Sequence, residues 1–462
     1  MKSKIAWQTL LSVVSMLTPV IVSPYLTRTL GADRLGIYAY VFAIEGYFAL
    51  AADLGLGLYG NRLTARCSGD REKLDRVFSE VFSLKFLYLL VAVAAYAAFA
   101  FFSARYRNLV WLFGIALLAT GCDSSWFYYG LEQFKLPSVR GIALKLLTCV
   151  FVFVIVKDEN DLWKYALIMA LSPLAGNLAL FAGMKGRASF IKIPVRDAFS
   201  HAVPAFLIFV PFLMQSIFHY ADKIMLNLMY SEREVGLYAT AEKGLVSQQI
   251  LSGFVWVFMP RMSALAQKES GADELKKKLA SLCELTVLFA VPACLGTMAI
   301  ARRFAPLFWG ADFTESGALL SGLSVNILIF AFIMILQTGY ILPVGREKLL
   351  WRTGILGIVW NIGLNAWLIP RYGAMGAVAA TALTNAGILL ILVVCCQEKT
   401  EILQTVWGNR AFFVFGLAMF AAVAALGKCL PQTMVMILVQ VGAGAALYGS
   451  ACVIYFRKRR KG

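Results

Sequence analysis

Apolar residues in this chain neither alternate with polar ones nor form the one-sided stripe of a soluble helix. They run on for 18 residues or more, many times over. A run of that length, coiled as a helix, crosses about 30 Å of hydrocarbon. Lipid tolerates no unpaired backbone group, so each run must be helical. The alternating, roughly ten-residue strands of a membrane barrel are absent. The pattern predicts about fourteen spans, with edges good to a few residues. They lie near 5–29, 36–58, 81–103, 109–130, 139–157, 163–184, 198–229, 236–259, 279–301, 316–342, 350–369, 374–397, 410–428 and 434–456.

One hairpin occurs twice. The polar turn Arg28 to Gly36 leads into Gly36-Ile37-Tyr38-Ala39, and the turn Tyr230 to Glu234 leads into Gly236-Leu237-Tyr238-Ala239. A repeat of this kind predicts two lobes on one plan, a common arrangement in transporters. We expect lobes over 1–190 and 191–400, with residues 401–462 forming two further helices and a basic tail. Loop 185–197, carrying Lys185, Arg187, Lys192, Pro194 and Arg196, is the expected linker.

Composition agrees with an all-α integral membrane protein. Of 462 residues 60% are hydrophobic and 15% charged, with mean hydropathy +0.73, whereas soluble domains are about a quarter charged. The formal charge of +17 resides in short loops, as topology signals do, so a nucleic-acid partner is not indicated. With both termini in the cytoplasm, about 29 Lys and Arg fall on that face and about 11 on the other, a positive-inside bias. The C-terminal Arg457-Lys458-Arg459-Arg460-Lys461 suits anionic headgroups. The nine cysteines show no paired spacing, which argues against a disulfide framework or a metal site. Lys2 and Lys4 precede an apolar run too long for a signal peptide, so it reads as a first span. No loop is large enough for a catalytic domain, and the P-loop pattern is missing. We therefore expect no enzyme activity and no cofactor, with energy drawn from a gradient or from the substrate.

Ionisable residues at membrane depth are the main functional signal, because each is costly unless it faces protein or water. The set contains Glu45, Asp53, Asp123, Lys145, Asp222, Lys223, Glu242 and Lys243, with Arg28 and Arg140 near span ends. The seventh and eighth spans form a hairpin that places Asp222 level with Lys243 and Lys223 level with Glu242. Structural ion pairs and contacts to substrate or protons both fit this quartet. Lys145 reads either as a lumen cation or as an interfacial, snorkelling one. His219 lies three residues before Asp222, so a proton relay is conceivable; two histidines make no metal site. Gly55-x-Gly57-x-x-Gly60 matches a dinucleotide fingerprint by letter, but it closes a membrane helix, where close packing is the better account. Trp126 to Tyr129 end the fourth span and read as an interfacial belt, with sugar stacking as the alternative. Pro19 and Pro24 in the first span, and Pro204 and Pro211 in the seventh, predict bends.

Several segments, taken in order, resemble the polysaccharide transporters, the O-antigen and exopolysaccharide flippases of the multidrug/oligosaccharidyl-lipid/polysaccharide (MOP) superfamily. They are Pro24 to Gly31 with Gly36-Ile37-Tyr38, Asp53-Leu54-Gly55, Trp126 to Lys135, Ala221-Asp222-Lys223, Val235 to Lys243, and Tyr372 to Ala377. The resemblance implies two six-helix lobes around a central cavity, plus two C-terminal helices. It also implies alternating-access movement of an undecaprenyl-diphosphate-linked oligosaccharide across the bacterial inner membrane, with membrane lipids, a polysaccharide polymerase and a chain-length regulator as partners. The family fixes no single residue set, so depth and sign select the sites. Arg28, Arg140, Lys145, Lys223 and Lys243 are expected to meet the anionic head, and Glu45, Asp53, Asp222 and Glu242 to couple ions or gate. A drug or organic-cation antiporter of the same superfamily is the alternative, and a peptidoglycan-precursor flippase a further one.

Overall fold

The computed structural model describes residues 2–266, 272–395 and 408–459. Arg460 and Lys461 of the expected basic tail, and Cys396, lie outside them. Among the described residues the chain is helical, with no strand. In order the helices are α1 Lys2–Asp53, α2 Leu56–Arg66, α3 Arg71–Phe102, α4 Arg107–Gly121, α5 Ser125–Gly130, α6 Lys135–Ile155, α7 Leu162–Ala182, α8 Val195–Phe199 and α9 Ala202–Met229. They continue as α10 Glu232–Lys243, α11 Val246–Ala266, α12 Ala272–Trp309, α13 Ser316–Leu323, α14 Val325–Leu336, α15 Glu347–Cys395, α16 Arg410–Cys429 and α17 Met434–Arg459.

Ten helical stretches among the described residues are long and apolar enough to cross a membrane. Two of them hold more than one span. α1 leaves helical angles at Gly31 (φ 75°) and α15 at Gly373 (φ 55°). In α1 the departure is at Gly31 and not at Pro19 or Pro24, where bends were expected. A proline removes one hydrogen bond, which a membrane helix absorbs, whereas a positive φ redirects the chain.

The chain divides into two compact units, Met1–Ile224 and Met225–Gly462, so the division falls inside α9. In the first unit α1 packs on α3, α4 and α6, and α4 packs on α7. Its core joins Leu56, Phe78, Val81, Trp126, Phe127 and Tyr128 to Leu180, Ala198 and Ala205. Loop 185–197 belongs to this unit because α3 holds it down. Arg71 donates to the Gly186 carbonyl (2.7 Å), Ser189 N–H to Asp75 (2.8 Å) and Ile191 N–H to Ser79 Oγ (2.9 Å). Arg76 pairs with Asp197 at 2.9 Å, and His201 Nε2 lies 2.8 Å from Glu80. In the second unit α12 is the hub, packing on α11, α13, α14, α16 and α17. There Glu234 accepts the Ala374 N–H at 2.7 Å and so caps the part of α15 that restarts after Gly373.

Candidate functional site: a polar hollow where two helices break

Two helices of the first unit are interrupted between apolar stretches. α1 stops at Asp53, and the chain passes through Leu54 (φ 39°) and Gly55 (φ 84°) before α2 begins. Left-handed backbone is cheap only for glycine, which is why Gly55 stands at the turn. α4 stops at Gly121, and Cys122-Asp123-Ser124 intervene before α5. Each break carries an aspartate that binds backbone it would otherwise leave bare. Asp53 Oδ2 accepts the Gly57 N–H at 3.4 Å, and Asp123 Oδ1 accepts the Ser125 N–H at 3.0 Å. Irregular backbone at membrane depth persists only where it lines a cavity or is buried in protein.

Lys85 joins the two breaks. Its side chain is 1% exposed, and its ammonium lies 3.1 Å from Asp53 Oδ1 and donates to the Asp123 carbonyl, also at 3.1 Å. It comes from α3, which runs unbroken past both. Lys85 stands near the mouth of an apolar run, where a lysine has the look of an ordinary span-end charge.

Beside the breaks lies a hollow of about 600 Å³. Five ionisable side chains line it: Glu45, Asp53, Lys85, Asp123 and Arg140. Its walls are aromatic, with Tyr38, Phe42, Phe113, Trp126, Tyr129 and Tyr220. Arg140 donates to Asn177 Oδ1 at 2.5 Å, and Asn177 Nδ2 to the Ala119 carbonyl at 2.7 Å. The buried Nε of Arg140 has no hydrogen-bond partner among the described residues. Glu45 is 5% exposed, and it makes no hydrogen bond or ion pair among the described residues. The hollow thus offers two fixed cations and three carboxylates, one of them bare. It can hold a small cation or a proton at Glu45 and a polar or anionic group at Arg140, between faces suited to ring stacking.

The expected site residues separate. Arg140, Asp53 and Glu45 meet in this hollow. Arg28 is exposed, and its guanidinium turns back to the Pro24 carbonyl at 3.2 Å. Lys145 is half-buried on α6 and does not line the hollow. Asp222 (3% exposed) and Lys223 (6%) are buried on α9. Lys223 donates to the His219 carbonyl at 2.9 Å and lies 3.4 Å from His219 Nε2. In the other unit, Glu242 is half-buried and Lys243 exposed, in the last turn of α10.

Residues 126–129 do not form an interfacial belt. Trp126, Phe127 and Tyr128 are core residues, and Trp126 and Tyr129 wall the hollow. The glycines before them explain the burial, since a Cβ on Gly60 would stand 2.7 Å from Trp126 Cε3. The glycine triplet is therefore packing and helix break, as the membrane reading expects, and not a nucleotide loop.

Comparison with known proteins decides the family. Residues 1–266 match the family model described as polysaccharide biosynthesis protein. The chain belongs to that family. Residues 238–443 also match the model of the lipid II flippase MurJ. A "Putative O-antigen transporter" of Shigella dysenteriae is 24% identical, over 85% of this chain and 99% of its own length. A "Probable low-salt glycan biosynthesis flippase Agl15" of Haloferax volcanii is 22% identical, over 78% of this chain and 76% of its own. Among solved structures, a lipid II flippase MurJ aligns over 97% of this chain and 99% of its own with TM-score 0.70 and 13% identity. A multidrug resistance MATE family transporter of the MOP superfamily aligns over 89% and 95% with TM-score 0.59 and 15% identity. At such identities these structures speak for the fold alone. The chain is a multi-pass membrane protein of the polysaccharide biosynthesis protein family.

Proposed function

We propose that the protein moves an undecaprenyl-diphosphate-linked oligosaccharide across the bacterial inner membrane by alternating access, with both termini in the cytoplasm. Family membership and the named activities of the O-antigen and glycan relatives support this reading. The physics supports it too. A diphosphate bearing a hydrophilic glycan cannot enter hydrocarbon unaided, and cations at membrane depth supply its counter-charge. The observation that carries the proposal at residue level is the hollow of the first unit, where broken helices, Arg140, amides and aromatic walls meet inside an apolar bundle. Arg140 contacts the passing head or its sugars, with Arg28, Lys145, Lys223 and Lys243 as further anion contacts along the route. Glu45 and Asp53 couple the movement to an ion, and Asp222 and Glu242 act in gating.

The test is removal of the chain from its own host. Surface polysaccharide should disappear while its lipid-linked repeat unit accumulates on the cytoplasmic leaflet. Unchanged surface glycan would overturn the proposal. One observation favours a second reading, export of organic cations: Glu45 is a carboxylate without a partner among the described residues. On that reading Glu45→Gln abolishes resistance to cationic dyes and leaves surface glycan intact.

A further inference from the structure

We infer that Lys85 is a positioning residue whose ion pair with Asp53 clips the two helix breaks together, so that the charge on Asp53 sets the shape of the hollow.

The clip spans three helices. α3 carries Lys85 through 32 residues without interruption. The pieces that follow the two breaks are short: α2, whose Gly57 N–H is bound by Asp53, has 11 residues and α5 has 6. One bond of Lys85 goes to the side chain that ends α1, the other to the main-chain carbonyl of Asp123 in the break before α5. Both are 3.1 Å. The ammonium therefore ties the end of α1 to the break before α5, beside Trp126 and Tyr129 on the wall.

The two members of the pair differ in access. The Asp53 side chain is 27% exposed and that of Lys85 1%. A proton or small cation entering the hollow reaches the carboxylate and not the ammonium. Once Asp53 is neutralised, Lys85 is a buried charge without its counter-ion, which proteins do not tolerate at rest. The Asp123 carboxylate already has Oδ1 engaged by the Ser125 N–H. Release of Lys85, and of the short helix ends it holds, is the remaining response. Glu45, Asp123 and Arg140 face the same space, and Tyr38, Tyr129 and Tyr220 are its other titratable groups. Lys85 is the one of these that touches both breaks.

A native reporter stands in the second break. Cys122 is half-buried there, and its backbone belongs to the segment that Lys85 holds. The experiment uses the full chain with Cys122 as its single cysteine, purified and reconstituted, and measures the rate of maleimide labelling. Lys85→Met and Asp53→Asn should each raise that rate by about tenfold, a coupling of ordinary size. The double variant should label no faster than either single one, because the two residues act as a unit. Lys85→Arg, which keeps the charge, should stay close to the parent. Acidification slows the thiol chemistry itself, so the pH arm is read as a ratio: the labelling rate of the parent relative to Lys85→Met should rise as pH falls. Exchanging potassium for sodium at fixed pH separates a metal cation from a proton as the charge that opens the clip.

Equal labelling of the parent and Lys85→Met would overturn the inference, as would single effects that add in the double variant. Should Lys85→Met fail to insert, Asp53→Asn and the double variant carry the same comparison. The double variant buries no unpaired charge and is expected to fold. A parallel arm measures surface polysaccharide, which Lys85→Met should lower by about tenfold at equal protein level. Only that arm rests on the transport proposal. A labelling effect with unchanged glycan would leave the clip standing and count against transport.

Discussion

Glu45 is the residue whose chemistry is least explained by packing. A carboxylate with 5% exposure usually has a partner, and this one has none among the described residues. Its neutral isostere should therefore cost the fold nothing: Glu45→Gln is expected to leave the melting temperature in detergent unchanged or raised. Export of glycan should nevertheless fall by about tenfold or more if the carboxylate binds the coupling ion. Loss of stability together with export would make Glu45 structural. Arg140 behaves oppositely, since it already holds Asn177. Arg140→Lys keeps charge but loses the planar fork, so export should drop while expression holds. Asp53, Glu45 and Arg140 were legible in the sequence because each is a charge inside an apolar run. Lys85 was legible by an argument applied only elsewhere. Asp53 and Lys85 are equidistant from Gly69, the middle of the loop between their helices, just as Asp222 and Lys243 are from their own turn. Depth matching would have paired them. What no pattern along the chain supplies is that the Asp123 carbonyl comes to the same ammonium, because that depends on where α4 happens to break.

Glycine sets the turns at Gly31, Gly55 and Gly373, though not the break at Cys122 to Ser124. The long apolar runs made the helices visible, and their composition made them membrane helices. Positive φ occurs at Gly31, Gly55 and Gly373, whereas Pro19 and Pro24 keep the helical angles of α1. Period and hydropathy cannot distinguish a glycine that packs from one that turns. Gly60 packs: a Cβ there would meet the Trp126 ring at 2.7 Å, inside contact distance. Gly60→Ala is expected to destabilise by about 1–3 kcal/mol through overpacking. A smaller ring partner, Trp126→Leu, should recover part of that loss, and thermal denaturation of the single and double variants checks it. In the second unit, Glu234 caps the restart of α15 after Gly373. Glu234→Ala should cost about 1 kcal/mol, the ordinary worth of a cap, and leave the first unit's hollow untouched.

At the scale of the whole chain, composition marks one boundary and contacts mark another. The basic linker at 185–197 looks like a joint, yet its backbone is hydrogen-bonded to α3, and the compact units divide later, at Ile224 and Met225. Short-range signals such as charge and proline report exposure, and a polar segment strapped along a helix end has the same composition as a free one. Orientation rests on a different kind of signal, the sum of many loop charges, and it yields a prediction that needs no knowledge of the substrate. Cys67 follows α2 in a loop expected to face the cytoplasm, Cys395 ends α15 on the same side, and Cys429 ends α16 on the other. Cys395 and Cys429 are exposed, and Cys67 is half-buried. In single-cysteine chains, a membrane-impermeant maleimide applied to intact cells with a permeabilised outer membrane should label Cys429 alone. Cys67 and Cys395 should label only after lysis. The reverse pattern would place the termini outside and turn the positive loops away from the cytoplasm, against the energetics that hold short basic loops on the side of synthesis.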